Sequence, residues 1–322
     1  MSFVAGDPSV GKKGTSSLTV SGGDKVADGK QTHTATATVL DAHQNPVGGV
    51  TVTFSVPSES GALLSEATAK TNRSGVATVT VTSVTAGKIP VSATVAGTEL
   101  RRSPGTVSFV AGDPSLGKKG TSSLRVSAGD RVASGEEQHT ATATVLDANK
   151  NPVSGATVAF SVPADSGATL SETTATTNAQ GVATVSVTST VAGQVPVTAT
   201  VGDRALRGSP GTVRFIAGPA DASRSSWSVS PEGPVTADGE QGYTGTATIR
   251  DRFENPVEGE TVVFSAPEEL GGERSRVSDA AGNAVVEWKT TQAGSYPVRA
   301  TLADGTPIGD EFQLVFVAGP AD

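Results

Sequence analysis

Asp24, Asp28 and Asp41 are carboxylates of the type that a hard cation such as calcium takes as oxygen ligands. Their pattern argues for another use. Ser134 stands where a second copy of Asp28 would fall, and no Asp-rich loop recurs, so these side chains read as turn caps. The histidines are His33, His43 and His139. His33 and His139 hold one repeated place, and Tyr243 stands there later in the chain. Neither a metal ligand nor a general base survives that exchange, whereas a partly buried flat side chain at a strand end does. Serines are plentiful, yet no Gly-x-Ser-x-Gly elbow and no paired His and Asp accompany them. With zero cysteines, disulfides, zinc thiolates and thiol catalysis are all excluded. Lys289 is the single lysine beyond residue 218, which argues against a repeated Lys–Asn isopeptide staple. Asn72-Arg73-Ser74 fits a glycosylation sequon, but its counterpart Asn178-Ala179-Gln180 does not, and a turn explains both. Glu268, Glu269 and Glu273 read as a solvated acidic loop. No catalytic, metal or cofactor-binding residue is assigned, and the chain is not read as an enzyme.

The aromatic residues offer a binding chemistry instead. Both Trp and both Tyr of the chain fall in its last third, as Trp227, Tyr243, Trp288 and Tyr296. Exposed, such rings would make a sugar-stacking or protein-binding platform. Aligned with the earlier repeats, Trp227 replaces Leu18 and Leu124, Trp288 replaces Val81 and Val187, and Tyr296 replaces Ile89 and Val195. These are inward strand positions, so core filling is the stronger reading.

One stretch written three times organises the rest. It runs Asp41, Asn45, Pro46, Val47, Gly49, then Asp147, Asn151, Pro152, Val153, Gly155, then Asp251, Asn255, Pro256, Val257, Gly259. Proline fixes its own φ and removes a donor, so each Asn-Pro breaks an extended course. The Asp four residues earlier can accept the free N–H groups of that turn. The motif therefore reads as the corner of a β-sandwich.

The corner recurs within a longer repeat. Phe3-Val4-Ala5-Gly6 returns at Phe109, Phe215 and Phe316, at steps of 106, 106 and 101 residues. That period is too long for a solenoid unit and matches a self-contained sandwich of roughly 100 residues. Within one unit, strand A runs near Ser17–Ser21, B over Gln31–Leu40, C over Val50–Val56, and D near Leu63–Thr71. E follows over Val76–Thr82, F over Ile89–Val95, and the Phe109 strand closes the unit as G. In B, Ala35, Ala37 and Val39 alternate with Thr34, Thr36 and Thr38, the period of two of a half-buried strand. The fold class is all-β: three tandem immunoglobulin-like sandwiches over 8–111, 112–217 and 218–322, arranged as an extended rod. Ala111-Gly112-Asp113-Pro114 and Ala217-Gly218-Pro219-Ala220 leave linkers of about four residues in which proline restricts the hinge. Each domain then adds ~40 Å, with strands rising ~3.3 Å per residue.

Composition agrees. Only 4% of the chain is aromatic and 36% apolar, so the cores are Val, Ala, Leu and Thr. Gly 38 and Pro 18 suit many turns. A net charge of −8, with no cluster of Lys and Arg, excludes nucleic acid as a partner. No apolar run nears the ~18 residues of a membrane helix. Met1 leads directly into the tail of a repeat, so the chain reads as an excerpt of a longer array with no leader of its own.

The set Asp-Gly, Thr-Ala-Thr, Asp-x-x-x-Asn-Pro-Val-x-Gly, Val-x-Phe and Gly-x-Ala resembles the bacterial immunoglobulin-like domain of group 1 (Big-1) of intimin- and invasin-type adhesins, and the match covers all three units, with Ser134-Gly135 in place of Asp-Gly in the second. The resemblance implies an extracellular array, on a bacterial surface or secreted, that projects a binding element. In intimin and invasin a lectin-like cap carries much of the recognition. This chain shows no such cap, so receptor binding does not transfer to it. The leading expectation is a non-catalytic, monomeric stalk segment that supports cell adhesion, with neighbouring Ig-like domains and a host protein or glycan receptor as partners. One alternative makes domain three itself a receptor- or glycan-binding module. The other makes the chain an accessory spacer of a secreted polysaccharide-active enzyme.

Overall fold

A computed structural model describes residues 4–319. Domain one contains β1 (Ser17–Val20), β2 (Asp24–Val26), β3 (His33–Thr38), β4 (Thr51–Ser55), β5 (Ala62–Leu64), β6 (Thr68–Lys70), β7 (Val76–Ser83), β8 (Gly87–Val95), β9 (Thr98–Glu99) and β10 (Gly105–Val110). One sheet has the order β1-β3-β7-β5; the other runs β2-β10-β8-β4-β6, with β9 hairpinned onto β8. Domain two repeats all ten as β11–β20 between Ser123 and Ile216.

The expected seven strands are thus cut finer. Strand D is two pieces, because the chain leaves one sheet for the other at Ser65–Ala67: Ser65 N–H donates to Thr80 O, and two residues later Ala67 O accepts from Phe54 N–H. Strand A divides likewise, and its second piece, β2, pairs in parallel with the closing strand β10. Such switches let a short chain close the edges of both sheets.

Alternation decides which face is buried. In β3, His33, Ala35 and Ala37 point inward and the threonines outward. The small Ala side chains let the sheets approach, and Phe54 and Phe109 fill the space between them. Burying each Phe stabilises the fold by about 1.5–3 kcal/mol. His33 and His139 are fully buried, not partly: Nε2 of His33 donates to Ser108 O (2.9 Å), and Nδ1 accepts from Ser21 Oγ (2.9 Å). Tyr243 keeps the link to the same closing strand, its hydroxyl lying 2.9 Å from Val315 O. That retained bond explains why the exchange is tolerated.

Domain three has β21 (Ser226–Ser230), β22 (Val235–Thr236), β23 (Tyr243–Thr248), β24 (Thr261–Ser265), β25 (Arg274–Val277), β26 (Asn283–Trp288), β27 (Gly294–Leu302) and β28 (Phe312–Val317). Among the described residues its first sheet has three strands, because β25 stays with β24 and no other strand replaces β5. Arg274 takes over part of that missing strand's work. Its guanidinium donates to Glu287 O, the counterpart of the Thr80 carbonyl that Ser65 satisfies in domain one.

Candidate functional site at the domain joints

Each Asp-x-x-x-Asn-Pro stretch folds back on itself, with Asp41 N–H donating to Asn45 O (2.9 Å) and Val47 N–H to Val39 O (3.0 Å). The residue before Asn sits in the left-handed region without being glycine: Gln44 at φ 67°, Lys150 at 69° and Glu254 at 69°. The Asp carboxylate holds that unfavourable conformation by gathering donors around it. Gly75, Gly181 and Gly282 pack beneath the corner; a Cβ on Gly75 would lie 2.4 Å from Val39 O, and its φ of +73° also favours glycine.

The aspartates do more than cap this turn. Asp147 Oδ1 accepts from Asn149 N–H (2.9 Å) and Asn151 N–H (2.8 Å), and Oδ2 from the Asn151 side-chain amide (2.8 Å). The fourth donor comes from the chain arriving from domain one, Gly112 N–H at 2.9 Å. Asp251 does the same with Phe253, Asn255 and, at 2.8 Å, Gly218. Val110 still belongs to β10, where its carbonyl accepts from Ala27 N–H, so only Ala111 lies between the domains. The expected four-residue, proline-stiffened linkers are therefore corrected to single residues. Gly112 and Gly218 already belong to the following domain, and the prolines lie beyond the crossing.

Asn151 closes the joint. Its Nδ2 donates to Val84 O (3.0 Å), and its Oδ1 accepts from Ala86 N–H (2.8 Å), both in the loop between β7 and β8 of domain one. A side-chain amide thus pairs with a backbone carbonyl and N–H two residues apart. Asn255 repeats this on Thr190 O (3.0 Å) and Ala192 N–H (2.7 Å). Both side chains are buried, at 5% and 4% exposure, while Asn45 in domain one is exposed.

A third contact differs between the joints. Asn149 Nδ2 donates to Ala27 O (2.8 Å) at the first. At the second, Phe253 stands in that place and Arg252 reaches Ser134 O (3.3 Å) while stacking on the Phe253 ring. A groove of about 700 Å³ opens beside it, lined by Ala133, Ala220, Arg252, Phe253 and Leu302 among others.

The electrostatics follow from this crowding of donors. For Asp147 and Asp251, burial pushes the carboxyl up, and the Asn amide with three backbone N–H groups outweighs it, leaving both below the ordinary 3.8. At Asp41 the Asn45 amide, then the Gly6 and Asn45 N–H groups, hold the carboxyl far below that value. The turn residues Asp41, Asn45, Pro46, Asp147, Asn151, Pro152, Asp251, Asn255 and Pro256 thus gather at the domain poles. What sequence reasoning missed is that Asn151 and Asn255 face across the joint. The triplicated Asn was the available signal, since a plain turn does not demand Asn each time.

The aromatic candidates lie elsewhere. Trp227, Tyr243, Trp288 and Tyr296 are buried at 7%, 4%, 0% and 8% exposure, inside the core of domain three. They form no exposed platform. Trp227 Nε1 donates to Asp310 O and Tyr296 hydroxyl to Gln292 O, so their polar atoms face backbone. Asp28 likewise caps its own loop, accepting from Lys30 and Gln31 N–H.

The family model for the bacterial Ig-like domain (group 1) matches residues 15–110, 121–216 and 227–317. The chain belongs to the bacterial Ig-like domain (group 1) family. Its group 1 domains are 31% identical over 307 residues to the inverse autotransporter adhesin YeeJ of Escherichia coli K12, covering 92% of this chain and 12% of YeeJ. Intimin of Citrobacter freundii is 34% identical over 210 residues, covering 65% of this chain and 21% of intimin. The chain therefore corresponds to a small part of each of these adhesins. Among solved structures, the Escherichia coli adhesin FdeC aligns with a TM-score of 0.66 and 23% identity over 98% of this chain and 100% of that one. InvD of Yersinia pseudotuberculosis aligns at 0.60 and 17% over 94% and 98%. At such identities the likeness is one of fold, and the fold is a tandem array of group 1 domains.

Proposed function

We propose that the three domains are a stiff, non-catalytic stalk segment of a bacterial surface adhesin, holding a binding element outside the cell. The observation that carries this reading is the joint itself. One residue crosses between domains, an aspartate anchors the arriving backbone, and an asparagine grips the departing loop. A flexible tether would leave those groups to water. The adhesin character of YeeJ and intimin supports the same reading, with neighbouring Ig-like domains as structural partners and a host receptor met by the carried element.

Small-angle scattering on the chain and on N151A/N255A tests it. A single extended particle for the chain and a broadened, shorter distribution for the variant support the stalk. An already broad distribution for the unaltered chain would sink it.

A second reading keeps domain three as a receptor- or glycan-binding module. With its aromatic side chains inside, recognition there falls to the open edge of β26, where Val285 is 46% exposed beside Arg274, Arg276 and Lys289. Saturable binding of labelled chain to host cells, matrix proteins or a glycan panel, lost in R274A, would favour this reading. The role of accessory spacer in a polysaccharide-active enzyme has no supporting feature in these domains.

A further inference from the structure

Domain three is open along β26 because its connection from β24 is short. Gly75 follows Pro57 by 18 residues and Gly181 follows Pro163 by 18, whereas Gly282 follows Pro267 by 15. The difference is the length of β5, and what remains pairs with β24 as β25. The open side carries defined backbone groups. In domain one Ser65 satisfies both groups of Thr80: its N–H donates to Thr80 O, and its Oγ accepts from Thr80 N–H at 3.0 Å. Further along, β5 pairs Leu63 with Thr82. Trp288 stands in the place of Val81, so Glu287 and Lys289 stand in those of Thr80 and Thr82. Every second residue of an antiparallel strand turns its N–H and C=O to the same side. Those of Glu287 and Lys289 therefore face the open side. Arg274 takes Glu287 O, and the N–H and C=O of Lys289 have no backbone partner among the described residues.

Three cations frame this edge. Arg274 and Arg276 lie on β25 opposite Phe264 and Val262, and Lys289 continues β26; with Val285 and Glu287 they line a shallow depression of about 570 Å³. None of the three is ion-paired among the described residues, where the pairs are Arg214–Asp130, Arg224–Glu254 and Arg299–Glu311. Val285 is exposed, as is Val277 next to Arg276. Unpaired positive charge thus gathers at one sheet edge of a chain whose net charge is −8.

We propose that the β26 edge is a strand-addition site for an extended acidic peptide segment of another protein, lying where β5 lies in domain one. The proposal rests on the reading of domain three as a binding module and names its partner. Backbone pairing gives the docking, and side-chain charge gives the choice of partner. The added strand runs antiparallel to β26, as β5 does to β7. It meets the N–H and C=O of Lys289 and the N–H of Glu287, and sets a carboxylate opposite the Lys289 side chain. Its own N–H takes Glu287 O, as Ser65 N–H takes Thr80 O, and frees the Arg274 guanidinium for a second carboxylate. A sulfated glycan would use the cations and leave the edge unpaired. A second copy of the chain would set its own Arg274 and Arg276 against these two.

The test titrates the full chain with an end-capped peptide of alternating Glu and Val and follows backbone amide exchange by NMR. At saturation the Glu287 and Lys289 N–H groups should slow roughly fivefold, the effect of one net hydrogen bond. R276E/K289E should weaken the peptide roughly tenfold with thermal unfolding of the chain unchanged. The same peptide methylated on every backbone nitrogen keeps its charge and should not bind. Equal binding of the methylated peptide overturns the proposal, as does a heparin oligosaccharide that binds while the two edge amides stay fast, for either shows a polyanion site. No peptide binding, or edge amides unchanged at saturation, also overturns it. Host-cell binding separates the two readings. Cell binding that survives both R276E/K289E and excess peptide keeps the binding module and sinks the acidic strand. Peptide held at the edge without cell binding removes the host receptor and upholds the acidic partner.

Discussion

Asn151 and Asn255 make the same two interdomain bonds, and truncating either leaves a backbone carbonyl and N–H at a covered joint without partners. A net hydrogen bond contributes about 1 kcal/mol, so N151A should loosen its joint by ~1–2 kcal/mol, read as lost alignment between domains one and two in residual dipolar couplings. The aspartates set the pH response. Asp147 and Asp251 have carboxyls held below the ordinary 3.8 in the folded chain. A lowered folded value means stabilisation that is fully present above the unfolded value and lost as pH falls through the folded one. The joints should therefore be unchanged from neutral pH down to about 4 and open in stronger acid, which the Gly112 and Gly218 amide shifts will follow. Loss of those shifts between pH 5 and 7 would contradict the donor count at the two carboxylates. At Trp288 the substitutions are coupled: Gly245 replaces Ala35 and Ala141 of the earlier domains, and a Cβ there would lie 2.6 Å from the indole. G245A should overpack the core and cost domain three about 1–3 kcal/mol in thermal unfolding, with domains one and two unaffected.

At the scale of elements, the sheets differ in how their edges are closed. In domains one and two the split fourth strand gives each sheet an edge piece; in domain three β26 keeps an open side, and the Arg274 side chain satisfies one of its carbonyls. R274A should speed amide exchange along β26 and raise the tendency of the chain to associate at high concentration, as open edges do. Equal exchange in the variant would show that the guanidinium adds nothing to the edge. The single cores also differ in kind. Domains one and two are filled by Val, Ala, Leu and Phe, and domain three by two Trp and two Tyr whose rings meet Phe264, Phe312 and Phe316 edge-on or tilted. Both Trp residues being buried, iodide should quench native fluorescence weakly and quench strongly only on unfolding.

At the scale of the molecule, force enters each domain along its first strand, β1 in domain one, in one sheet and leaves through its last, β10, in the other, and β2, the strand after β1, ties the entering chain to the sheet of β10. β2 lies parallel to the closing strand β10, and Ala27 N–H donates to Val110 O at the end of that pair. Pulling the ends apart slides the two strands along each other and loads their bonds together, the arrangement that resists best. Force spectroscopy on the chain should show three separate unfolding events, one per domain. A single merged event would mean that the joints bind the domains into one cooperative unit.

The sequence by itself determined the repeats, the all-β class, the three sandwiches and the turn at each Asn-Pro, because alternation and turn chemistry are local. It placed Trp227, Trp288 and Tyr296 on inward positions by alignment alone. The splitting of strands A and D was not legible, since a strand that changes sheets keeps its alternation and changes only its partners. The length of the linkers was not legible either: whether Gly112 closes one domain or opens the next depends on which carboxylate its N–H meets. Only the tertiary structure decided that Asp147 supplies it, and that the spare donor and acceptor of Asn151 point away from their own domain. A side-chain amide has more hydrogen-bonding capacity than its own turn uses, and what takes the remainder is fixed by whatever packs against that pole.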